Sequence, residues 1–182
     1  RPRSNMPISF APSWSQSVVV PQYVTSIADS TATSFFGSRY VMSELEQRTL
    51  GLDTRLNITF SPTMTLELYA QPFFAAGRYR AFEEFVAPRR AELSVYGRDR
   101  GTITGVRDTT GMVARYSIDP DGAGPAHAVL IDNPDFTQQS LRGNAVFRWE
   151  YRPGSVIYVA WTQSRFGEQA FGDLDFTRDR TA

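Results

Sequence analysis

The sequence predicts an all-β chain, an antiparallel meander of long hairpins forming part of a transmembrane β-barrel of the outer-membrane type. Three observations predict it. Apolar residues or threonine recur at every second position over unusually long runs, the runs are joined in pairs by very short turns, and aromatic residues stand on the apolar side beside those turns.

The first hairpin spans Arg48 to Phe74. Leu50, Leu52, Thr54, Leu56, Ile58 and Phe60 alternate with Gly51, Asp53, Arg55, Asn57 and Thr59, so a period of two separates an oily face from a polar one. After Ser61, Pro62 and Thr63 the pattern resumes, with Met64, Leu66, Leu68 and Ala70 against Thr65, Glu67, Tyr69 and Gln71. Parity then constrains the turn. A two-residue loop would set each oily row against a polar one, whereas a three-residue loop pairs Phe60 with Met64 and matches the rows.

The second hairpin repeats the design. Leu141, Gly143, Ala145, Phe147, Trp149 and Tyr151 alternate with Arg142, Asn144, Val146, Arg148, Glu150 and Arg152; past Pro153, Gly154 and Ser155, Ile157, Val159 and Trp161 continue the apolar row. A three-residue loop here pairs Tyr151 with Ile157, Trp149 with Val159 and Phe147 with Trp161.

Elsewhere the elements are weaker. Met6, Ile8, Phe10, Pro12 and Trp14 alternate as one strand; residues 18–27 are β-branched but carry Pro21, which suits an edge or a bulge. Asp29 to Gly37 reads as a loop, and Tyr40 to Leu45 extends the strand that leads into the first hairpin. Five or six spanning strands result, fewer than the roughly eight that close a barrel, so residues 1–182 read as a single partial barrel domain and a fragment. Residues 79–135 break the pattern and read as a long external loop region. Within it, Ala91 to Tyr96 and Met112 to Ser117 are candidates for an external hairpin.

A soluble β-sandwich binding module would show the same alternation, with the oily face on a core. Strand length favours the membrane. Leu50 to Phe60 matches the roughly 9 to 11 residues a tilted strand needs to cross a bilayer and exceeds the roughly 5 to 6 of an average soluble strand. The assignments follow: Leu56, Ile58, Leu66, Leu68, Phe147, Trp149, Val159 and Trp161 face lipid. Phe60, Trp149 and Tyr151 form an aromatic girdle. Asp53, Arg55, Glu67, Arg142, Arg148 and Glu150 line a lumen, with Arg165 on the same polar face, and serve first to hold register by pairing across strands.

Composition limits the chemistry. Cysteine is absent, which removes disulfides and thiolate metal sites; 19 basic residues, all arginine, balance 19 acidic ones, so no nucleic-acid partner is expected. His127 stands alone in a Gly/Pro-rich loop without metal-ligand spacing. Asp119-Pro120-Asp121-Gly122 resembles the start of a calcium loop but lacks its downstream glutamate, and reads as a turn. Adjacent Glu83 and Glu84 read as solvated loop charges rather than a glycosidase pair. No catalytic constellation, cofactor site or metal site is expected.

The stretches QYVTSIADSTAT, GSRYVMSELEQRTLGLDTRLNITFSPTMTLELYAQPF, IDNPDFTQQSLRGNAVFRWEYRPGSVIYVAWTQSR and FGDLDF resemble the C-terminal domain of a bacterial family of unknown function. In that family a module similar to family 9 carbohydrate-binding modules precedes an outer-membrane barrel predicted from sequence. The resemblance implies an outer-membrane location, lipid as a partner, and a membrane anchor or pore belonging to a carbohydrate-associated surface protein. It implies carbohydrate contact only through the N-terminal module, which this chain lacks. A carbohydrate-binding or glycoside hydrolase-like protein is the alternative.

Overall fold

The structure, a computed structural model, describes residues 6–169. The FGDLDF stretch and the Arg-rich C-terminal end lie outside the described residues. The chain is all-β and its sheets are antiparallel. Five long strands carry it: β1 (Ile8–Ala28), β2 (Ser38–Ser61), β3 (Met64–Phe85), then, after four short strands, β8 (Phe136–Arg152) and β9 (Ser155–Gln169). The short strands are β4 (Leu93–Val95), β5 (Thr102–Arg107), β6 (Val113–Asp119) and β7 (Val129–Asp132). The main sheet has the order β1-β2-β3-β8-β9 with β4 added on β3, and β5-β6-β7 form a second sheet.

The meander is therefore as expected, but the insertion between its third and fourth long strands is residues 86–135 and not 79–135, since β3 runs on to Phe85. Pro21 falls inside β1, which ends the strand order among the described residues; a missing N–H is tolerable there. β2 runs without a break from Tyr40 through Gln47 into the first hairpin.

The turns differ from the expected ones. β2 ends at Ser61 and β3 begins at Met64, leaving two residues between them. In the second hairpin Arg152 pairs with Ser155 across Pro153 and Gly154, so this turn also holds two residues rather than three. Gly154 takes φ 78°, which together with the fixed φ of Pro153 is the combination used by type II turns. A bulge between Glu150 and Arg152 then adds one residue on β8 and restores parity. Trp149 pairs with Ile157, Phe147 with Val159 and Ala145 with Trp161. The expected partners are thus displaced by two positions along β9, while the rows still match.

The chain divides into two compact units. Unit 1 holds residues 1–16, 48–76 and 137–182, and unit 2 holds residues 17–47 and 77–136. Unit 2 contains the described core, formed by Val41, Phe82, Tyr96, Ile118 and Ile131, with Val24, Ile27, Tyr79, Ile103 and Tyr116 against it. The expected hairpin of Ala91–Tyr96 with Met112–Ser117 does not form. β4 pairs with β3, matching Glu84 to Ser94, whereas β6 pairs with β5 and β7, matching Tyr116 to Gly105 and to Ile131. Tyr96, just after β4, and Ile118, on β6, instead each supply a side chain to the same core.

Phe82 sits in that core with its ring 4.7 Å from Tyr116, centroid to centroid. Phe82→Ala should cost about 3 to 5 kcal/mol, the usual figure for emptying a buried phenyl site. Faster hydrogen exchange at the β5–β7 amides would show it; unchanged protection would mean that the core is not what holds this sheet.

Candidate functional site

Two arrangements in the molecule have the chemistry of a site. One is the two-faced sheet of unit 1, which contains every residue assigned from sequence to a lipid, girdle or lumen role. The other is a buried ion network in unit 2.

In unit 1 the rows separate as the alternation dictates. Trp149, Val159 and Trp161 are exposed and Leu56, Ile58, Leu66, Leu68 and Phe147 half-buried. Ile8, Leu56, Leu68, Leu141 and Trp161 share one open depression, which puts apolar residues of all five long strands on one surface. Trp149 and Tyr151 touch edge to face, 6.1 Å between centroids, and with Phe60 they are exposed beside the two short turns. Among the described residues of unit 1 only Ala75 and Ala76 are buried apolar residues; no leucine, isoleucine, valine, phenylalanine or tryptophan is.

The polar row gathers charge from neighbouring strands. Tyr69 donates its hydroxyl hydrogen to Asp53 at 2.9 Å, and the Arg55 guanidinium stands 5.6 Å from the centre of the Tyr69 ring. Arg142 lies within electrostatic range of the same tyrosine. Arg148 pairs with Glu150 on its own strand at 3.3 Å, and Glu150 also accepts from the Gly154 N–H, tying the row to the turn. Thr63 accepts from the Glu150 N–H at 2.8 Å, which fixes β8 beside β3. Glu67 is exposed on this row. The row is not uniformly polar, since Tyr158 pairs with Arg148 and Phe166 with Ser140, and both rings are exposed.

One assignment is corrected by the register. Arg165 pairs with Leu141 and shares the parity of Trp161, so it belongs to the apolar row and not to the lumen-facing set.

The network of unit 2 was not foreseen. Glu83 and Glu84 are both buried instead of solvated, because β3 is covered on both faces at this point. Arg39, itself buried, donates through Nε to Asp29 at 2.5 Å, through Nη1 to Glu84 at 2.9 Å and through Nη2 to Thr31 at 3.2 Å. Tyr96 donates to the other Glu84 oxygen at 2.5 Å, and Arg100 forms a further ion pair with Glu84. Each of the three guanidinium nitrogens of Arg39 thus donates a hydrogen bond, and two of the acceptors are carboxylates, the kind of pairing under which a buried charge is tolerated. Burial opposes ionisation of Asp29, but hydrogen bonds from Arg39 and Thr31 outweigh it and hold its carboxyl at about 2. Burial raises the Tyr96 hydroxyl, and its bond to Glu84 raises it further. Glu83, on the opposite face of β3, is pushed up by burial and then by Glu44.

The remaining candidates are simple. Asp119 accepts from the N–H of Asp121 and of Gly122, at 3.4 and 2.9 Å, which makes the Asp-Pro-Asp-Gly run a turn closed by its own side chain. His127 is exposed, and among the described residues no group of three potential metal ligands comes together. Comparison of the chain with family models, with curated proteins and with solved structures finds no match.

Two outcomes follow for the network. Glu84→Gln should destabilise unit 2 by about 3 to 5 kcal/mol, since Arg39 and Arg100 would lose their shared counter-charge; denaturant unfolding reads it. Asp29, with its folded-state value depressed from 3.8 to about 2, contributes stability that is full above pH 4 and is lost as pH falls towards 2. Amide exchange at Thr31 and Gly37, corrected for intrinsic rates, should therefore accelerate across that window, and Asp29→Asn should remove the pH dependence.

Proposed function

We propose that the chain is a segment of an outer-membrane β-barrel, serving as a membrane anchor or pore, with unit 1 supplying the spanning strands and residues 79–135 belonging to an external contact region. The observation that carries this reading is the uncovered apolar row of unit 1. Its strands hold leucine, isoleucine, valine, phenylalanine and tryptophan at alternate positions, yet among the described residues none of these is buried there. A soluble sandwich would lay a second sheet on that row and bury it. A bilayer accepts such a row as it stands.

Further support comes from length and position. Within unit 1 the five long strands keep 9 to 16 residues each, which meets the roughly 9 to 11 required to cross a bilayer. The aromatic residues nearest the short turns occupy the level of a head-group girdle. The association with carbohydrate implied by the family resemblance remains part of the proposal for the surface protein that would carry this segment.

Cysteine is absent from the sequence, so single cysteines report cleanly. In cells, Leu68→Cys should react with a membrane-soluble maleimide and be silent to a charged one, and Glu67→Cys should show the reverse if the polar row faces a wet lumen. Leu68→Arg should cost about 2 to 4 kcal/mol near the bilayer midplane. Equal labelling of Leu68→Cys by the charged reagent would overturn the membrane reading.

A further inference from the structure

An arginine on a row that faces lipid requires an account. Arg165 stands opposite Leu141 on β9, four positions beyond Trp161. Among the described residues no carboxylate pairs with it. Its guanidinium lies instead against Gln163 of the same row, whose carboxamide oxygen accepts from Nη2 at 3.1 Å. Gln139 joins them from β8, its side chain folded to 3.2 Å from the position a Cβ of Gly167 would take. Glu168, the nearest acid in sequence, points to the other row, where Gln138 approaches it at 3.4 Å.

The depth of Arg165 can be placed from the register. Ile157 is level with Trp149 of the girdle, and Arg165 lies eight residues further along β9. At roughly 3.4 Å per residue and a tilt of about 40°, that is a climb of about 21 Å, close to the roughly 25 Å height of a barrel's apolar band. Arg165 therefore stands at the boundary opposite the girdle, where head groups begin. Two open depressions meet at Leu141. One is polar-edged and contains Arg165, Gln139 and Phe74, with Glu168 of the opposite row also at its edge; the other is the apolar one that contains Leu56, Leu68 and Trp161. The second is floored by Gly143, which has no side chain to fill it and whose absent Cβ would lie 3.2 Å from the Tyr69 carbonyl oxygen.

We propose that this surface is a seat for one lipid with an anionic phosphate head group. Arg165, with Gln163 and Gln139 beside it, takes the phosphate, and an acyl chain lies along Leu141 into the depression over Gly143 beside Trp161. The proposal rests on the membrane reading and names the partner of its outer boundary. Charge complementarity selects the occupant, because a guanidinium with no carboxylate partner among the described residues attracts a phosphate at head-group level, and the apolar trough leading from it matches a hydrocarbon chain in polarity.

The test uses the full chain inserted in vesicles, with Trp14→Phe and Trp149→Phe leaving Trp161 as the only tryptophan. Its fluorescence is followed as lipid with brominated acyl chains is added as a minor component, either phosphatidic acid or phosphatidylcholine. The expected result is half-maximal quenching at about five-fold lower mole fraction of phosphatidic acid, the enrichment one basic residue provides near a membrane surface. Arg165→Gln should bring the two curves together while quenching by phosphatidylcholine persists, which shows the variant still inserted; Arg165→Lys should retain part of the preference. Coincident curves for the parent would overturn the lipid seat and leave the membrane reading standing. Absence of quenching by either lipid would overturn both.

Discussion

Because side chains alternate along a strand, a slip of one residue in the pairing of β8 with β9 would carry Phe147 and Trp161 to opposite faces, and every other position with them. The bulge beside Tyr151 prevents this. A two-residue turn alone leaves the strands out of phase, and one additional residue on β8 returns Trp149 to Ile157 and Arg148 to Tyr158. The consequences extend along the whole hairpin: the apolar rows coincide, Arg148 and Glu150 stay on the charged side, and Arg165 is delivered to the apolar side. Glu150 contributes twice at this point. Its carboxylate receives the Gly154 N–H, while its own N–H is given to Thr63, in the turn just before β3. The turn, the bulge and the β3 neighbour are therefore fixed by the same residue.

Unit 2 obeys a different constraint. Its buried charges would each cost several kcal/mol if left alone, so the cluster survives only because Arg39 can satisfy Asp29, Thr31 and Glu84 at once. A guanidinium has the planar fork for this and an ammonium does not, consistent with an arginine at the centre. The network anchors the turn at residues 29–37, where Phe36 takes φ 57° in the left-handed region and Gly37 returns an N–H to Ala32. Apolar residues of similar size would fill the volume equally well. They would not specify where that turn stops.

The rows of unit 1 were legible in the sequence because a period of two is a local signal, carried by residues such as Leu56, Ile58 and Leu66 within one stretch. The parity of the turn between β8 and β9 was legible for the same reason. Its mechanism was not, since a three-residue loop and a two-residue turn with a bulge give identical parity, and only backbone geometry separates them. Arg165 was assigned by its charge when its position should have decided; counting in twos from Trp161 places it correctly. The ion network gave no signal of its own. Asp29, Arg39, Glu84, Tyr96 and Arg100 come from separate segments, and Glu84 beside Glu83 resembles an exposed pair because neither residue type nor spacing shows that β3 is covered on both faces there.

β2 displays both regimes within one strand. In its first part Arg39, Val41, Ser43 and Leu45 are buried at every second position, the pattern of a strand with one face on a core; beyond Gln47 only Gly51 is buried, and the apolar residues pass to the other row, Leu50, Leu52, Leu56 and Ile58. One row of the strand thus meets a protein core in the first stretch, while the opposite, apolar row of the second stretch is not buried by any of the described residues. In water an uncovered row forgoes the roughly 25 cal/mol per Å² that burial would return. In hydrocarbon the row has no deficit, and the demand moves to the backbone, since an open sheet edge is not tolerated there. Under the membrane reading, then, the side chains of unit 1 already suit their solvent, and what requires a partner is the outer edge of β1 and of β9, the two ends of the described strand order.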